Sequence, residues 1–266
     1  MKKIITSAAL FAASTALASA AFVSPTISWN DFSNVTPSAN TTVSNSDSTG
    51  AIHFAAEKYV PTQSNGALVF DGTDDVAFFQ GASGASINTS NSVGTFSFTT
   101  TSITLPTSGH SVLASIQTSG SNQIGIGVDS SGHVVATYTS NGTQYGSGTS
   151  TFTITASATN TFTFVLDSSS GLRVYVNGND TGITGLSGLK YTSESTKQLT
   201  IGATTTPSLP TAMTVTNVYV HSTSLSAEDV KDTFKAGGLI PEPSAFGLLA
   251  GIGALALAVS RRRRSR

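Results

Sequence analysis

The residues best equipped for chemistry in this 266-residue chain are three carboxylates in one run, Asp71-Gly72-Thr73-Asp74-Asp75. Clustered oxygen ligands in a loop are what calcium requires. Asp and Gly also build tight turns with no metal, because Asp accepts nearby backbone N–H bonds and Gly takes positive φ. The spacing departs from the EF-hand loop and lacks its closing Glu. A structural turn is therefore the first expectation, and calcium at Asp71, Asp74 and Asp75 the second. The sequence requires no other cofactor.

Acid–base and nucleophilic chemistry are poorly provided for. The chain has four Glu: Glu57, Glu194, Glu228 and Glu242. A retaining glycosidase needs two carboxylates roughly 5–5.5 Å apart, and no strand-like stretch carries acids at alternating positions. No Gly-x-Ser-x-Gly stands between a strand and a helix, as a serine nucleophile would need. Cys is absent, which removes thiol catalysis, disulfides and Cys-based metal sites. His53, His110, His133 and His221 form no ligand-spaced pair, and His133 reads as a surface or edge residue rather than a catalytic base. A non-catalytic role is the expectation.

Charge narrows the partners. Only 10% of residues are charged, and seven of the thirteen basic ones lie at the two ends of the chain. The part between holds six basic and thirteen acidic residues, a net of about −7. A nucleic-acid surface is not expected there.

The elements that must position any site are strands. Thr161–Thr181 alternates Phe162, Phe164 and Leu166, then Leu172, Val174 and Val176, across Asp167-Ser-Ser-Ser-Gly171. Two period-2 runs around such a break predict an antiparallel hairpin. Asn177-Gly178 predicts a tight turn, since both residues tolerate positive φ. Ala67–Phe70, the acidic turn and Val76–Phe79 read as a second hairpin-like unit. Phe96 and Phe98 mark a strand over 95–101. Ser111–Gln117, Gln123–Asp129, His133–Thr139, Thr151–Thr155, Gln198–Gly202 and Met213–His221 follow, with Gly125 and Gly127 marking close packing or a bulge. Ile27–Trp29 and Ala51–Phe54 are weaker strands, and 36–49 reads as loop. Turn signals recur about every 8–15 residues, the rhythm of a β-sandwich. Ser226 with Asp229 predicts a helix start, Leu225 with Val230 a hydrophobic staple, and Gly237-Gly238 the stop.

Three ordered segments resemble laminin G-like, concanavalin A-like domains: Leu68-Val-Phe-Asp-Gly-Thr-Asp-Asp75, Arg173-Val-Tyr-Val-Asn-Gly178, and Val218-Tyr-Val followed by Leu225-Ser-Ala-Glu-Asp229. Val76 replaces the aromatic usual after the second Asp. The resemblance implies an all-β fold, a two-sheet antiparallel jelly-roll sandwich over 21–238 with a short C-terminal helix.

The ends read as addresses. Met1-Lys2-Lys3, an apolar stretch from Ile4 to Leu17 and Ala18-Ser19-Ala20 form a secretory signal peptide, residues 1–20. At the other end Pro241-Glu242-Pro243 precedes an apolar run and Arg261, Arg262, Arg263 and Arg264. The run reads as a hydrophobic tail helix over 244–260, at the lower limit for a membrane span, with the arginines held inside. This order resembles the PEP-CTERM sorting signal, residues 239–266. The resemblance implies recognition of Pro241, Glu242 and Pro243 by an exosortase, an inner-membrane intermediate, and delivery to the surface of a Gram-negative bacterium. A binding domain for extracellular polysaccharide or a surface protein is the expected role, and a purely structural matrix protein the alternative. Trp29, Tyr138, Tyr145, Tyr175 and Tyr191 are the candidate sugar-stacking aromatics.

Overall fold

The computed structural model of the protein describes residues 23–45, 49–55, 59–81, 94–117, 123–140, 143–167, 171–183, 198–203 and 210–234. Residues 1–20, Glu57, Tyr191, Glu194, the sorting motif Pro241–Pro243, the tail helix and Arg261–Arg264 lie outside the described residues. Among those described, no helix is long and apolar enough to cross a membrane.

The described residues form strands and one helix. In chain order they are β1 (Ile27–Trp29), β2 (Thr41–Ser44), β3 (Gly50–Phe54), β4 (Thr62–Ser64), β5 (Ala67–Asp71), β6 (Ala77–Gly81), β7 (Gly94–Ile103) and β8 (His110–Gln117). Then come β9 (Gln123–Asp129), β10 (His133–Ser140), β11 (Thr143–Thr153), β12 (Asn160–Asp167), β13 (Gly171–Val176), β14 (Asn179–Asp180), β15 (Gln198–Ile201), β16 (Ala212–His221) and α1 (Ala227–Phe234). They make two antiparallel sheets. The first runs β14-β13-β12-β7-β16-β5-β4, with β1 also on β16. The second runs β11-β10-β9-β8-β15-β6-β3-β2. This is the all-β sandwich with one short helix that the strand rhythm predicts, and its layout is consistent with a jelly roll.

Period-2 alternation sends one set of side chains from each sheet into a shared core. Phe96, Phe98, Phe162 and Phe164 come from the first sheet, and Phe79, Ile116, Ile126 and Leu199 from the second. Phe98 stacks on Phe162 at 5.2 Å and meets Phe164 edge-on at 6.1 Å. Trp29 stacks on Phe32 and meets Phe79 edge-on, joining the sheets at another point. The predicted hairpin pairs in register from Phe162↔Val176 to Asp167↔Gly171. Asn177 and Gly178 take φ of 52° and 74° in the turn that follows.

On the first sheet's outer face, small hydroxyls pair across strands: Ser97 with Thr163 at 2.9 Å and Thr99 with Thr161 at 3.0 Å. Next to them Leu225, just before α1, and Val230 within it pack against Val165 and Tyr175. The helix opens on a reciprocal cap, in which Asp229 N–H donates to Ser226 Oγ and Ser226 N–H donates to Asp229 Oδ2, both at 3.1 Å. This face is thus closed in part by the chain's own helix.

Three expectations are corrected. Strands β5 and β6 do not form a hairpin: β5 pairs with β16 and β4, whereas β6 pairs with β15 and β3. The acidic run is a crossover from one sheet to the other. Part of 36–49 is strand β2, an edge strand paired in register with β3. The short strand read at 151–155 is the end of β11, which starts at Thr143 and is broken by two register shifts against β10.

Candidate functional site

The crossover brings the three predicted carboxylates together. Asp71, Asp74 and Asp75 each place an oxygen within 4.8 Å of the others; Asp71 is exposed, Asp74 half-buried and Asp75 buried. Each of two bonds locks the turn: Asp71 N–H donates to Asp75 Oδ2 at 2.8 Å, and Thr73 N–H to Asp71 Oδ1 at 2.7 Å. Gly72 supplies a φ of 79° between them. Gly202, at φ 104°, lets the chain after β15 lie against Asp75, where a Cβ would strike its carbonyl oxygen.

Burial pushes the Asp75 carboxyl above its usual range; the Asp71 N–H opposes this, and the charges of Asp71 and Asp74 add to it. The folded chain therefore holds that proton more tightly than the unfolded chain. Its contribution to stability is full below the ordinary carboxylate range and is lost as pH rises through the raised value. Ionising the group is a liability to the fold, unless a cation joins it. Three carboxylates suit calcium in donor type but supply only part of the six to eight oxygens it takes. A turn closed by its own carboxylates accounts for the bonds seen. Asp75→Asn keeps an acceptor for Asp71 N–H and removes the charge. We expect its Tm at pH 7 to equal or exceed that of the unsubstituted protein, with neither shifted by millimolar calcium. A calcium-dependent rise in Tm that Asp75→Asn abolishes would establish the cation instead.

The other titratable pair is local. Burial would raise the Asp129 carboxyl, yet bonds from His133 and Ser131 outweigh it and hold the group below its usual range. Asp129 Oδ1 accepts from Ser131 N–H at 2.8 Å and His133 N–H at 2.9 Å, while Oδ2 meets His133 Nδ1 at 3.0 Å. This clamps the β9–β10 turn and holds His133 half-exposed at the start of β10, an inner strand between β9 and β11.

The aromatic candidates separate. Trp29 lies in the core and Tyr175 under α1, both buried, so neither offers a sugar-stacking surface. Tyr138 and Tyr145 fall in β10 and β11, but their side chains lie outside what is described, as does Tyr191. The outer side of the second sheet, which sequence reasoning did not single out, also has a polar row with an aromatic ring. Phe78 is 8% exposed and belongs to no core cluster, although its neighbours Ala77 and Phe79 do. It therefore points to the outer side. Strand β6 reads Ala-Phe-Phe-Gln, apolar on both faces. That doubled pattern was the available signal, because a face turned to bulk water has no need of the second Phe.

The register carries one row across this face. His53 pairs with Phe78, Phe78 with Thr200, Thr200 with Ser115, and Ser115 with Gly125, which faces Thr137. The His53 ring lies 6.1 Å from Phe78, and its Nδ1 is 3.2 Å from Thr42 Oγ1. Ser115 Oγ donates to Ala203 O at 3.4 Å. Gly125 leaves room for the Thr137 hydroxyl, which would stand 2.9 Å from a Cβ there. The row is buried along its floor at Phe78, Thr200 and Ser115 and half-exposed at His53 and Thr137. Thr200 is 0% exposed, and its Oγ1 has no hydrogen-bond partner. The Gln123 Nε2, on the same face two residues before Gly125, is likewise buried without a partner. Buried polar atoms are nearly always paired in proteins. Six further side-chain atoms among the described residues are buried without a partner, among them Trp29 Nε1 in the core; the two here share one outer face, where a ligand with its own donors and acceptors can reach the row.

A family profile described as "Concanavalin A-like lectin/glucanases superfamily" matches residues 71–231. No curated protein matches the chain by sequence. Solved structures do match in fold. Domain 4 of an extracellular arabinanase from Geobacillus stearothermophilus, in complex with arabinotriose, is 15% identical with a TM-score of 0.56, covering 79% of this chain and 97% of that one. A Trypanosoma rangeli sialidase is 17% identical with a TM-score of 0.54, covering 74% of this chain and 31% of that one. The chain thus spans less than a third of the sialidase. At these identities the likeness is one of fold.

Proposed function

Because that profile spans more than half of its residues, the chain belongs to the concanavalin A-like lectin/glucanases superfamily, and we propose that it is an exported, non-catalytic glycan-binding protein that binds through the outer face of its second sheet. The observation that carries this is the unpartnered Thr200 hydroxyl on the floor of the row from His53 to Thr137. Sugar hydroxyls both donate and accept, as such a site requires. His53, half-exposed and backed by the buried Phe78 ring, gives ring surface for the C–H side of a sugar. The arabinanase domain, described with arabinotriose bound, supports the use of this fold on a sugar chain.

Among the described residues, the carboxylates that lie together for a glycan hydrolase reading are Asp71, Asp74 and Asp75. Asp75 is buried and its Oδ2 is occupied by Asp71 N–H, which favours a turn over an acid poised at a substrate bond. A structural matrix protein is the remaining alternative, and it predicts no saturable binding.

The proposal also covers location. The signal peptide at 1–20 sends the chain out, and Pro241, Glu242 and Pro243 hand it to an exosortase at the inner membrane. The folded domain is then released to the cell surface.

The test is binding of the purified mature protein to immobilised polysaccharides, followed by the same assay on Thr200→Val. Valine keeps the shape of threonine and removes the hydroxyl. One neutral hydrogen bond is worth about 0.5–1.5 kcal/mol, so we expect binding about twofold to tenfold weaker with Tm unchanged. No reducing ends should appear in the same samples. Saturable binding that Thr200→Val leaves intact would move the site elsewhere, and release of reducing ends lost in Glu57→Gln, Glu194→Gln or Asp75→Asn would make the protein a hydrolase.

A further inference from the structure

We propose, resting on the glycan-binding reading above, that the ligand is an uncharged polysaccharide and that the site discriminates against acidic ones. The eight strands of the second sheet carry a single formal charge, Asp129. That carboxylate is at the end of β9, and both of its oxygens are engaged by its own turn. What the strands provide instead is neutral hydrogen-bonding chemistry. The row through Thr200 carries the hydroxyls of Ser115 and Thr137, and Gln123 adds its amide on the same face two residues before Gly125. Amides and hydroxyls exchange evenly with the hydroxyls of neutral sugars. A uronate or sialate carboxylate would instead leave water for a face whose strands supply no cation, which costs far more than burying a paired hydroxyl. The domain's own charge acts in the same direction. With thirteen acidic residues against six basic ones between the terminal segments, it repels polyanions before contact.

The experiment compares the purified mature protein on arabinan, xylan and β-1,3-glucan with the same protein on polygalacturonate and alginate, at 20 and 300 mM NaCl. We expect at least one neutral polysaccharide to bind at least tenfold more tightly than either acidic one. Neutral affinity should change less than twofold with salt, since no counterions are released. Thr137→Lys places a cation at the half-exposed rim of the row, and should raise binding to polygalacturonate at low salt while sparing Tm. Tightest binding to an acidic polysaccharide, or affinity that falls steeply with salt, overturns the charge inference and leaves glycan binding standing. Binding to neither class overturns both.

Discussion

Phe98→Ala is expected to remove about 3–5 kcal/mol of unfolding free energy, the usual cost of emptying a buried Phe site. Phe98 is fully buried, and no neighbour can refill the space cheaply. Phe162 lies against one side at 5.2 Å and Phe164 meets it edge-on at 6.1 Å. All three rings hang from adjacent strands whose backbones are fixed by continuous pairing from Asn160↔Thr100 to Leu166↔Gly94. The cavity therefore persists, and the lost ring contacts add to the lost burial. For a domain of this size each kcal/mol moves Tm by about 2–4 °C, so the midpoint should fall by about 6–20 °C. Urea unfolding of the purified mature protein reads the free energy directly. A loss below about 1 kcal/mol would show that the sandwich does not depend on this ring stack.

The second large effect concerns the ends of the chain. The mature surface protein is expected to lack residues 1–20 and everything after about residue 243. The apolar run from 244 to 260 is short for a lasting span but sufficient to halt the chain. Arg261–Arg264 should stay inside, since carrying each Arg to mid-bilayer costs about 2.5–3.5 kcal/mol by insertion scales. The halt would hold Pro241-Glu242-Pro243 at the outer surface. Prolines there oppose helix and sheet pairing, which suits an extended protease substrate. Intact mass of the native protein decides the matter: a species retaining Ser244–Arg266 would leave a single-pass anchor. Glu242→Ala should make the uncut form accumulate in the inner membrane. Normal maturation of that variant would remove the sorting role from the motif.

Much of the fold could be read from local pattern, and its failures have a common cause. The β12–β13 hairpin was legible because alternation, a break at 167–171 and Asn177-Gly178 all point to one register. The cap on α1 was legible because Ser226, Asp229, Leu225 and Val230 each fit one helix start. Local pattern could not tell which strand pairs with which. Asp71–Asp75 has the length of a hairpin loop, yet the chain there leaves one sheet for the other. Strand β2 was missed because Thr-Thr-Val-Ser holds one half-buried apolar residue on a sheet edge. The start of β11 was missed because its Gly, Ser and Thr show no apolar alternation. The candidate site suffered most. Trp29 and Tyr175 were reasonable aromatics by type, but only the packing shows one in the core and the other beneath a helix. Phe78 and Thr200 have meaning only through the pairings that align them.

The placement of the last two strands has a kinetic consequence. β15 lies between β6 and β8, and β16 lies between β5 and β7. Each sheet is therefore two unconnected halves until residues 198–221 arrive. Loop closure over such separations must precede the contacts that reward it, so folding should be slow for the chain's size. A chain threaded outward from its N-terminus cannot close the second sheet while β15 is still inside, nor the first while β16 is. β1 also waits, since Ile27–Trp29 pairs only with Trp29↔Val218 to Ile27↔Val220 on that strand. If the chain is exported as proposed, this topology would keep the domain open during passage and let it set only once residues 198–221 are outside.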